Sequence, residues 1–168
     1  MRAEFRPDLI LAELERNGVG CIVIGGMAAY LQGSPLPTED VDVVPDTAVD
    51  NLTRLSAALT ALDARIRNGD EPALPFAHDA TSLAGSTFWN LTTTFGDLDI
   101  SFRPSGTQGY ADLRRDAIEV TLRGTPVLLA SLADVIRSKE AAGRDKDRRA
   151  LPVLRELLAQ QLRAKRRR

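Results

Sequence analysis

Apolar side chains recur along the chain with two periods, and together they predict an α/β fold. Leu9, Ile10 and Leu14 have the spacing of a helix face in a segment that begins at Pro7 and stops at Asn17-Gly18. Similar spacing predicts further helices over residues 27–31, 47–63, 131–142 and 145–163. Short apolar or alternating runs predict strands over residues 19–24, 41–44, 88–94, 98–102, 117–122 and 126–129. We therefore expect a small mixed sheet flanked by helices.

The residues between these segments predict how the elements are joined. Residues 68–86 are rich in Gly, Pro, Asp and Ser and are expected to be mostly loop. Phe95-Gly96-Asp97 suits a tight hairpin between two strands, and Asp46 or Thr47 suits a helix N-cap. Pro152 should either start a new helix or kink the last one.

No internal repeat or low-complexity linker interrupts the pattern, so one compact domain is expected. Residues 1–130 would form its core, and residues 131–168 a C-terminal helical lobe with a basic tail. The chain has 168 residues, 43% of them hydrophobic and 27% charged, which is typical of a folded domain with a sizeable core.

Composition also limits where the protein works. No run approaches the ~18 apolar residues of a membrane helix, and the N-terminus lacks the pattern of a signal segment. Cys21 is the single cysteine, which excludes an internal disulfide and a zinc site of several thiolates. It lies in an apolar run and is expected to be a core thiol. We expect a cytoplasmic protein without a membrane partner.

Charge is divided unevenly between the two ends of the chain. Residues 137–168 hold 12 of the 22 Lys and Arg residues and 4 of the 23 Asp and Glu residues, a balance of +8. The first 136 residues therefore carry −9. A basic end suits a polyanion such as RNA, but it is equally typical of a solvated helix end whose cations favour the helix dipole.

The candidate chemistry begins with Gly25-Gly26 and continues with Asp40-Val41-Asp42. On a strand, residues i and i+2 point to one face, so Asp40 and Asp42 would present paired carboxylates. Such a pair repels itself unless a cation lies between, and Mg²⁺ prefers carboxylate and phosphate oxygens. A Gly-Gly turn without side chains lets backbone N–H groups approach a phosphate. Each feature alone is weak, since Asp-x-Asp is also common at solvent-facing strand edges.

In this order and at this spacing, the two motifs resemble the signature of the nucleotidyltransferase superfamily related to DNA polymerase beta. That signature has a later third acid between apolar residues, which implies Asp99 in Leu98-Asp99-Ile100. Asp97 competes, because it would share a strand face with Asp99, although it is adequately explained as a turn residue. The resemblance implies the nucleotidyltransferase fold.

Near the end of the chain, residues 132–139 and 143–147 resemble later motifs of AbiEii-type and MenT-type toxin nucleotidyltransferases. There a helix lysine and a downstream aspartate complete the active site, which implies Lys139 and Asp147, with Asp145 as the competitor for the acid. Residues 132, 135, 136 and 139 also have the i, i+3, i+4, i+7 spacing that places Lys139 on the inward stripe. The alternative is a lysine that reaches the surface past the end of that stripe.

The resemblance implies Mg²⁺-dependent transfer of a nucleoside monophosphate from an NTP to RNA, most of all to the 3′ end of tRNA, by the toxin of a toxin–antitoxin system. Asp40, Asp42 and Asp99 would hold two Mg²⁺ ions. Gly25, Gly26 and Lys139 would bind the triphosphate.

The same resemblance implies a cognate antitoxin that acts as a kinase on a hydroxyl residue, with Thr38 in the matching position. No DNA partner is expected. Three alternatives remain: a transferase that adenylylates a partner protein, one that modifies a small molecule, and a non-catalytic nucleotide- or RNA-binding module. His78 is expected to be a non-catalytic polar residue, Phe88 and Trp89 to fill the core, and Arg103 to lie either near a phosphate or at the surface.

Overall fold

The computed structural model describes residues 3–168, and its helices and strands confirm the predicted α/β fold. The helices are α1 (Pro7–Arg16), α2 (Gly25–Leu31), α3 (Val49–Ala61), α4 (Ala80–Ala84), α5 (Tyr110–Arg114), α6 (Leu132–Ala142) and α7 (Asp145–Arg166). The strands are β1 (Cys21–Ile24), β2 (Asp40–Pro45), β3 (Arg65–Asn68), β4 (Glu71–Leu74), β5 (Phe88–Thr93), β6 (Gly96–Ser101), β7 (Ile118–Leu122) and β8 (Thr125–Leu129).

The strands form one eight-stranded mixed sheet in the order β4-β3-β5-β6-β2-β1-β8-β7. At its centre, β2 is parallel to β6 and antiparallel to β1, and β1 is parallel to β8. Val41 and Val43 of β2 are fully buried, whereas Asp40 and Asp42 are half-buried on the opposite face. The alternation of side chains along β2 therefore divides the core from the polar face of the sheet.

Residues 68–86 contain more structure than predicted. β3 and β4 pair as an antiparallel hairpin at the edge of the sheet, and α4 follows. Pro72 lies in β4, and an edge strand tolerates proline because one side of its backbone needs no partner. A capping box between Asp79 and Ser82 starts α4. The turn-forming residues thus separate short elements, and the prediction of mostly loop was wrong.

The start of α3 and the presence of α5 differ from the prediction, and one of the two alternatives for Pro152 is removed. α3 begins at Val49 with Ala48 at its N-cap, because the Asp46 carboxylate accepts from the Ala48 amide (3.1 Å) instead of capping the helix. α5 was not predicted. Pro152 starts no new helix: α7 continues through it, with its neighbour Leu151 buried in the core.

Cys21 is half-buried and packs against the core, where burial raises the pKa of its thiol to about 12. The thiol therefore stays protonated at neutral pH and is a poor nucleophile. Among residues 3–168, none of the helices combines the length and the apolarity that crossing a membrane requires.

Candidate active site

Three carboxylates meet where β1, β2 and β6 lie side by side. The register pairs Asp42 with Ile24 of β1 and with Asp99 of β6, and it pairs Asp40 with Asp97. One carboxylate oxygen from each of Asp40, Asp42 and Asp99 lies within 4.8 Å of the other two. The structure thus brings together the three acids that the sequence singled out, and Asp97 is not part of this cluster.

Burial, together with the neighbouring negative charges, raises the pKa of two of these acids. Burial raises the pKa of Asp42 to about 7, with further raising by Asp40 and Asp99 and partial compensation by Lys146 and Lys139. Burial also raises the pKa of Asp99 to about 6, although the nearby Arg67 guanidinium lowers it. Both carboxyl groups therefore hold their protons to a higher pH than an ordinary aspartate does.

The donor set fits a hard divalent cation. Three carboxylates with oxygens within 4.8 Å supply the ligands that Mg²⁺ prefers, and Mg²⁺ completes its octahedron with water and phosphate oxygens. A cation would also relieve the repulsion that raises the pKa of Asp42.

The Gly25-Gly26 turn lies directly against the carboxylates. Gly25 follows β1 with φ +70°, and a Cβ at this residue would lie 2.5 Å from Oδ2 of Asp42. A Cβ at Gly26 would lie 3.1 Å from the hydroxyl oxygen of Thr38. Both glycines therefore allow close packing of the turn against its neighbours, and both line the cleft described below.

Thr38 lies between this turn and strand β2, and it contacts both. Its hydroxyl donates to the backbone carbonyl of Asp40 (3.2 Å), and its side chain lies against Gly26. Thr38 also lines the cleft, so a group attached to its hydroxyl would enter the space next to the carboxylates.

α6 and α7 contribute a buried acid with two cations. The Asp147 side chain is 0% exposed, and its oxygens accept from the Arg144 Nε (2.8 Å), the Arg144 amide (3.2 Å) and the Lys139 Nζ (3.4 Å). Burial alone would raise the pKa of Asp147, but Arg144 and Lys139 bring it below its ordinary value. Asp145 is 82% exposed, as its helical position predicts.

Asp147 does not itself line the cleft. The resemblance implies that Asp147 helps to complete the active site; in the structure this fully buried acid contacts Lys139 and Arg144, which do line the cleft. Arg144 was not singled out by the sequence, although its position just before Asp145 and Asp147 was a usable signal.

Arg67 of β3 is a second residue that the sequence did not single out. Its guanidinium pairs with two acids of β6: Nη1 lies 3.0 Å from Oδ2 of Asp97, and Nη2 pairs with Asp99. The alternation of Arg65, Ile66 and Arg67 was the available signal for a strand with both arginines on one face. The alternation does not predict the partners of Arg67, because Asp97 and Asp99 lie two strands away in the sheet.

Asp40 and Asp42 line a cleft of about 980 Å³ between the polar face of the sheet and helices α6 and α7, and Asp99 lies next to them. Five cations line it: Arg103, Lys139, Arg144, Lys146 and Arg149. Phe88 also lines it and is 58% exposed, so the prediction that this ring fills the core was wrong. Trp89 does pack against the core, because neighbouring residues of β5 point to opposite faces.

His78 lies outside the residues that line the cleft. Its Nδ1 is 2.7 Å from the Ser56 hydroxyl, and its ring lies 4.7 Å from that of Phe76. Burial lowers the pKa of His78, so the ring is neutral at physiological pH.

Comparison with solved structures places this fold among nucleotidyltransferases. The chain is similar to TM1012 of Thermotoga maritima, a candidate nucleotidyltransferase (TM-score 0.54, 18% identity, 94% of this chain and 97% of that one). It is also similar to the lincosamide antibiotic adenylyltransferase LnuA in its lincomycin-bound form (TM-score 0.61, 14% identity, 93% and 99%). A third similar structure is ANT(2″)-Ia in complex with adenylyl-2″-tobramycin (TM-score 0.56, 15% identity, 92% and 89%).

At these identities, the similarity shows a common fold, and the predicted nucleotidyltransferase fold is confirmed. No protein-family model matches the sequence, and no curated protein matches it.

Proposed function

We propose that this chain is a Mg²⁺-dependent nucleotidyltransferase that moves a nucleoside monophosphate from an NTP to a hydroxyl acceptor. The observation that carries the proposal is the cluster of Asp40, Asp42 and Asp99 directly against the Gly25-Gly26 turn. The fold supports it, since the similar solved structures include the lincosamide antibiotic adenylyltransferase LnuA and ANT(2″)-Ia in complex with adenylyl-2″-tobramycin.

In this proposal, Asp40, Asp42 and Asp99 hold two Mg²⁺ ions. When bound, the ions neutralise triphosphate charge and lower the pKa of the acceptor hydroxyl. The bare backbone of Gly25 and Gly26 admits the triphosphate close to β1.

Lys139 and Arg144 supply cationic donors to the phosphates from the opposite wall, and they are positioned by Asp147. Lys146 and Arg149 add positive charge along the same wall.

The reaction is a substitution at the α-phosphorus of the NTP. The acceptor oxygen forms a bond to that phosphorus, the bond to the bridging oxygen of the β-phosphate breaks, and pyrophosphate leaves. The Asp99 carboxylate accepts the proton of the acceptor hydroxyl. Lys139 and Arg144 stabilise the charge that develops on the leaving group.

For the acceptor we propose RNA, with the 3′ end of tRNA as the preferred site and a growth-arresting toxin as the biological role. The +8 charge of residues 137–168 supports a polyanionic acceptor. Such a toxin would act in the cytoplasm and would have a cognate antitoxin. Thr38 is the residue through which a kinase-type antitoxin would act.

A small-molecule acceptor is the second candidate. It is favoured by the similarity in fold to LnuA and ANT(2″)-Ia, whose solved structures contain lincomycin and adenylyl-tobramycin.

The test is to incubate the purified protein and Mg²⁺ with each labelled NTP and, separately, with total tRNA, lincomycin and tobramycin. We expect label on RNA, and loss of that label in Asp40→Ala and Asp42→Ala variants that remain folded. Asp116→Ala serves as the control, because Asp116 is exposed and outside the cleft. Label on an antibiotic alone would replace the RNA acceptor, and full activity of Asp42→Ala would overturn the proposal.

A further inference from the structure

One end of the cleft has an aromatic platform that the assigned roles leave unused. On β5, Trp89 points inward: its Nε1 donates to the Leu83 carbonyl (3.0 Å), and its ring stacks on Phe76 with 5.5 Å between centroids. Its neighbour Phe88 therefore points outward and leaves 58% of its surface exposed in the cleft. Single exposed apolar side chains are common, so the position of this ring, and not its exposure, carries the argument.

Phe88 lies one step along the sheet from the carboxylate cluster. The register pairs Asn90 of β5 with Asp99 and pairs Phe88 with Ser101. Because Asp99 and Ser101 are two residues apart on β6, they share a face and are separated by about 6.7 Å along the strand. Phe88 therefore lies on the same face of the sheet as the acid proposed to receive the acceptor proton, on the neighbouring strand and one side-chain position further along.

The order of the strands separates this end of the cleft from the triphosphate end. Gly25 and Gly26 follow β1, which borders β2 on one side, whereas β6 and then β5 lie on the other. Asp42 on β2 therefore lies between the Gly-Gly turn and strands β6 and β5. A substrate that contacts Phe88 therefore approaches the cluster from the side opposite the Gly-Gly turn, which is where the acceptor must lie for displacement of pyrophosphate.

The charge at this end indicates what kind of acceptor fits. Its lining residues are Thr87, Phe88, Ser101, Arg103, Pro104 and Ser105, which include one cation and no carboxylate. Among residues 3–168, the Arg103 side chain pairs only with the neutral side chain of Gln108, so its charge is not neutralised by an acid. A nucleotide suits this end of the cleft, because its base can stack on the Phe88 ring and its phosphate can pair with the Arg103 guanidinium. A polycationic molecule is disfavoured, since it would be repelled by that guanidinium.

We propose that Phe88 and Arg103 form the acceptor subsite, and that it takes a nucleotide near the 3′ end of single-stranded RNA. The base stacks on Phe88, a backbone phosphate pairs with Arg103, and the terminal hydroxyl is thereby held at Asp99. This inference rests on the proposed nucleotidyl transfer and names the residues that select its acceptor.

The test measures RNA binding separately from chemistry. A short, fluorescently labelled single-stranded RNA with a free 3′ hydroxyl is titrated with protein and Mg²⁺ but without NTP, and its anisotropy is followed. Phe88→Ala should weaken binding on the order of tenfold, within the roughly 5- to 140-fold range of one base stacked on an aromatic ring, and Phe88→Trp should restore it. Arg103→Gln should lower the log–log salt slope by about 0.7, the value for one phosphate contact on a single strand.

Two controls make the result specific. Tyr30→Ala removes an aromatic ring that is 53% exposed and does not line the cleft, and Arg65→Gln removes an exposed arginine of β3 that does not line it either. Both should leave RNA affinity unchanged. Binding of a fluorescent NTP analogue with Mg²⁺ should be the same in wild type and Phe88→Ala, which also shows that the variant is folded.

The outcomes separate this inference from the proposed function. If the wild type transfers nucleotide to RNA but Phe88→Ala binds RNA as tightly as Tyr30→Ala does, the subsite is wrong and the activity stands. If RNA binds through Phe88 but no NTP yields labelled RNA, the activity is wrong and the subsite stands. If Phe88→Ala loses binding of lincomycin or tobramycin instead of RNA, the subsite belongs to a small molecule and the inference is overturned.

Discussion

The ammonium of Lys139 lies 3.4 Å from a carboxylate oxygen of Asp147, whose side chain is fully buried. The same carboxylate accepts from the Arg144 guanidinium at 2.8 Å. A buried acid thus fixes two cations that line the cleft, one from α6 and one from the residue preceding α7. We therefore expect the acid to act through these two cations.

Asp147→Ala should therefore weaken NTP binding on the order of tenfold, because Lys139 and Arg144 lose their common partner. The free energy of unfolding should fall by about 2 kcal/mol or more, since several charge-assisted hydrogen bonds are lost. Calorimetric NTP titration and urea unfolding measure the two effects. Asp145→Ala is the matched control on the exposed face of α7 and should change neither; equal NTP affinity in both variants would contradict the positioning role.

Gly25→Ala should abolish Mg²⁺-induced thermal stabilisation, because the new Cβ would lie 2.5 Å from Oδ2 of Asp42 and displace that carboxylate. Gly124→Ala separates this clash from backbone strain. Gly124 also has positive φ (+84°), but a Cβ there would meet no atom within 4 Å. The control should lose only the ~1–2 kcal/mol of a left-handed alanine and keep its response to Mg²⁺. A normal Mg²⁺ response in Gly25→Ala would show that the turn can move away from the acid.

Without metal, the chain should become less stable as the pH rises from about 4 to 7. Asp42 has a pKa of about 7 in the folded chain against an ordinary value of 3.8, so the folded state binds more protons in this range. Each unit of that difference corresponds to about 1.4 kcal/mol. Asp42→Asn should flatten the decline, and Mg²⁺ should reverse it in the wild type.

The measurement is urea unfolding in EDTA at a series of pH values, with Asp116→Asn as the control for an exposed carboxylate. A pH dependence identical in Asp42→Asn and wild type would show that Asp42 is ionised throughout.

Much of the candidate site was predictable because its signals are local. The Gly-Gly pair, the Asp-x-Asp alternation and the helical spacing of Lys139 each lie within a few residues and determine which face a side chain occupies. Arg67 and Phe88 have no local signal for the residues that they lie against. The guanidinium of Arg67 pairs with acids that lie two strands away in the sheet. For Phe88, the sequence of β5 alone does not show whether this ring or that of Trp89 faces the core. The pairing of strands that are distant in sequence determines both the partners of Arg67 and the face that Phe88 occupies. Amino-acid composition does not predict that pairing.

Removing Arg166, Arg167 and Arg168 should weaken RNA binding and flatten its salt dependence. These residues are exposed at the end of α7, and none of the salt bridges within residues 3–168 includes them. Each lost phosphate contact should lower the log–log slope by about 0.7 to 0.9. Replacing all three with Lys retains the charge and should retain the slope. Unchanged binding after the deletion would show that this end is only solvated.

Thr38→Glu should lose NTP affinity, whereas Thr38→Val should keep most transfer activity. The hydroxyl lies against Gly26 and lines the cleft, so negative charge there competes with the triphosphate for Mg²⁺ and for the backbone of the turn. A phosphate would add about −1.5 to −2 charges and a stronger effect. Titration calorimetry with a non-hydrolysable NTP and Mg²⁺ compares the variants. Equal affinity of Thr38→Glu and wild type would argue against a charge-based switch at this residue.

The pairing of β1 with β8 has a consequence for synthesis of the protein. β1 ends at Ile24, but its parallel partner begins at Thr125, and the Ala130 amide then donates to the Val23 carbonyl (2.8 Å). A ribosome that adds 5–20 residues per second needs about 5 to 20 s to make the intervening chain. Throughout that time one edge of β1 is open to other partners. Lys139 and Asp147 are made later still, so a nascent chain cannot complete the candidate site before residue 147 has been synthesised.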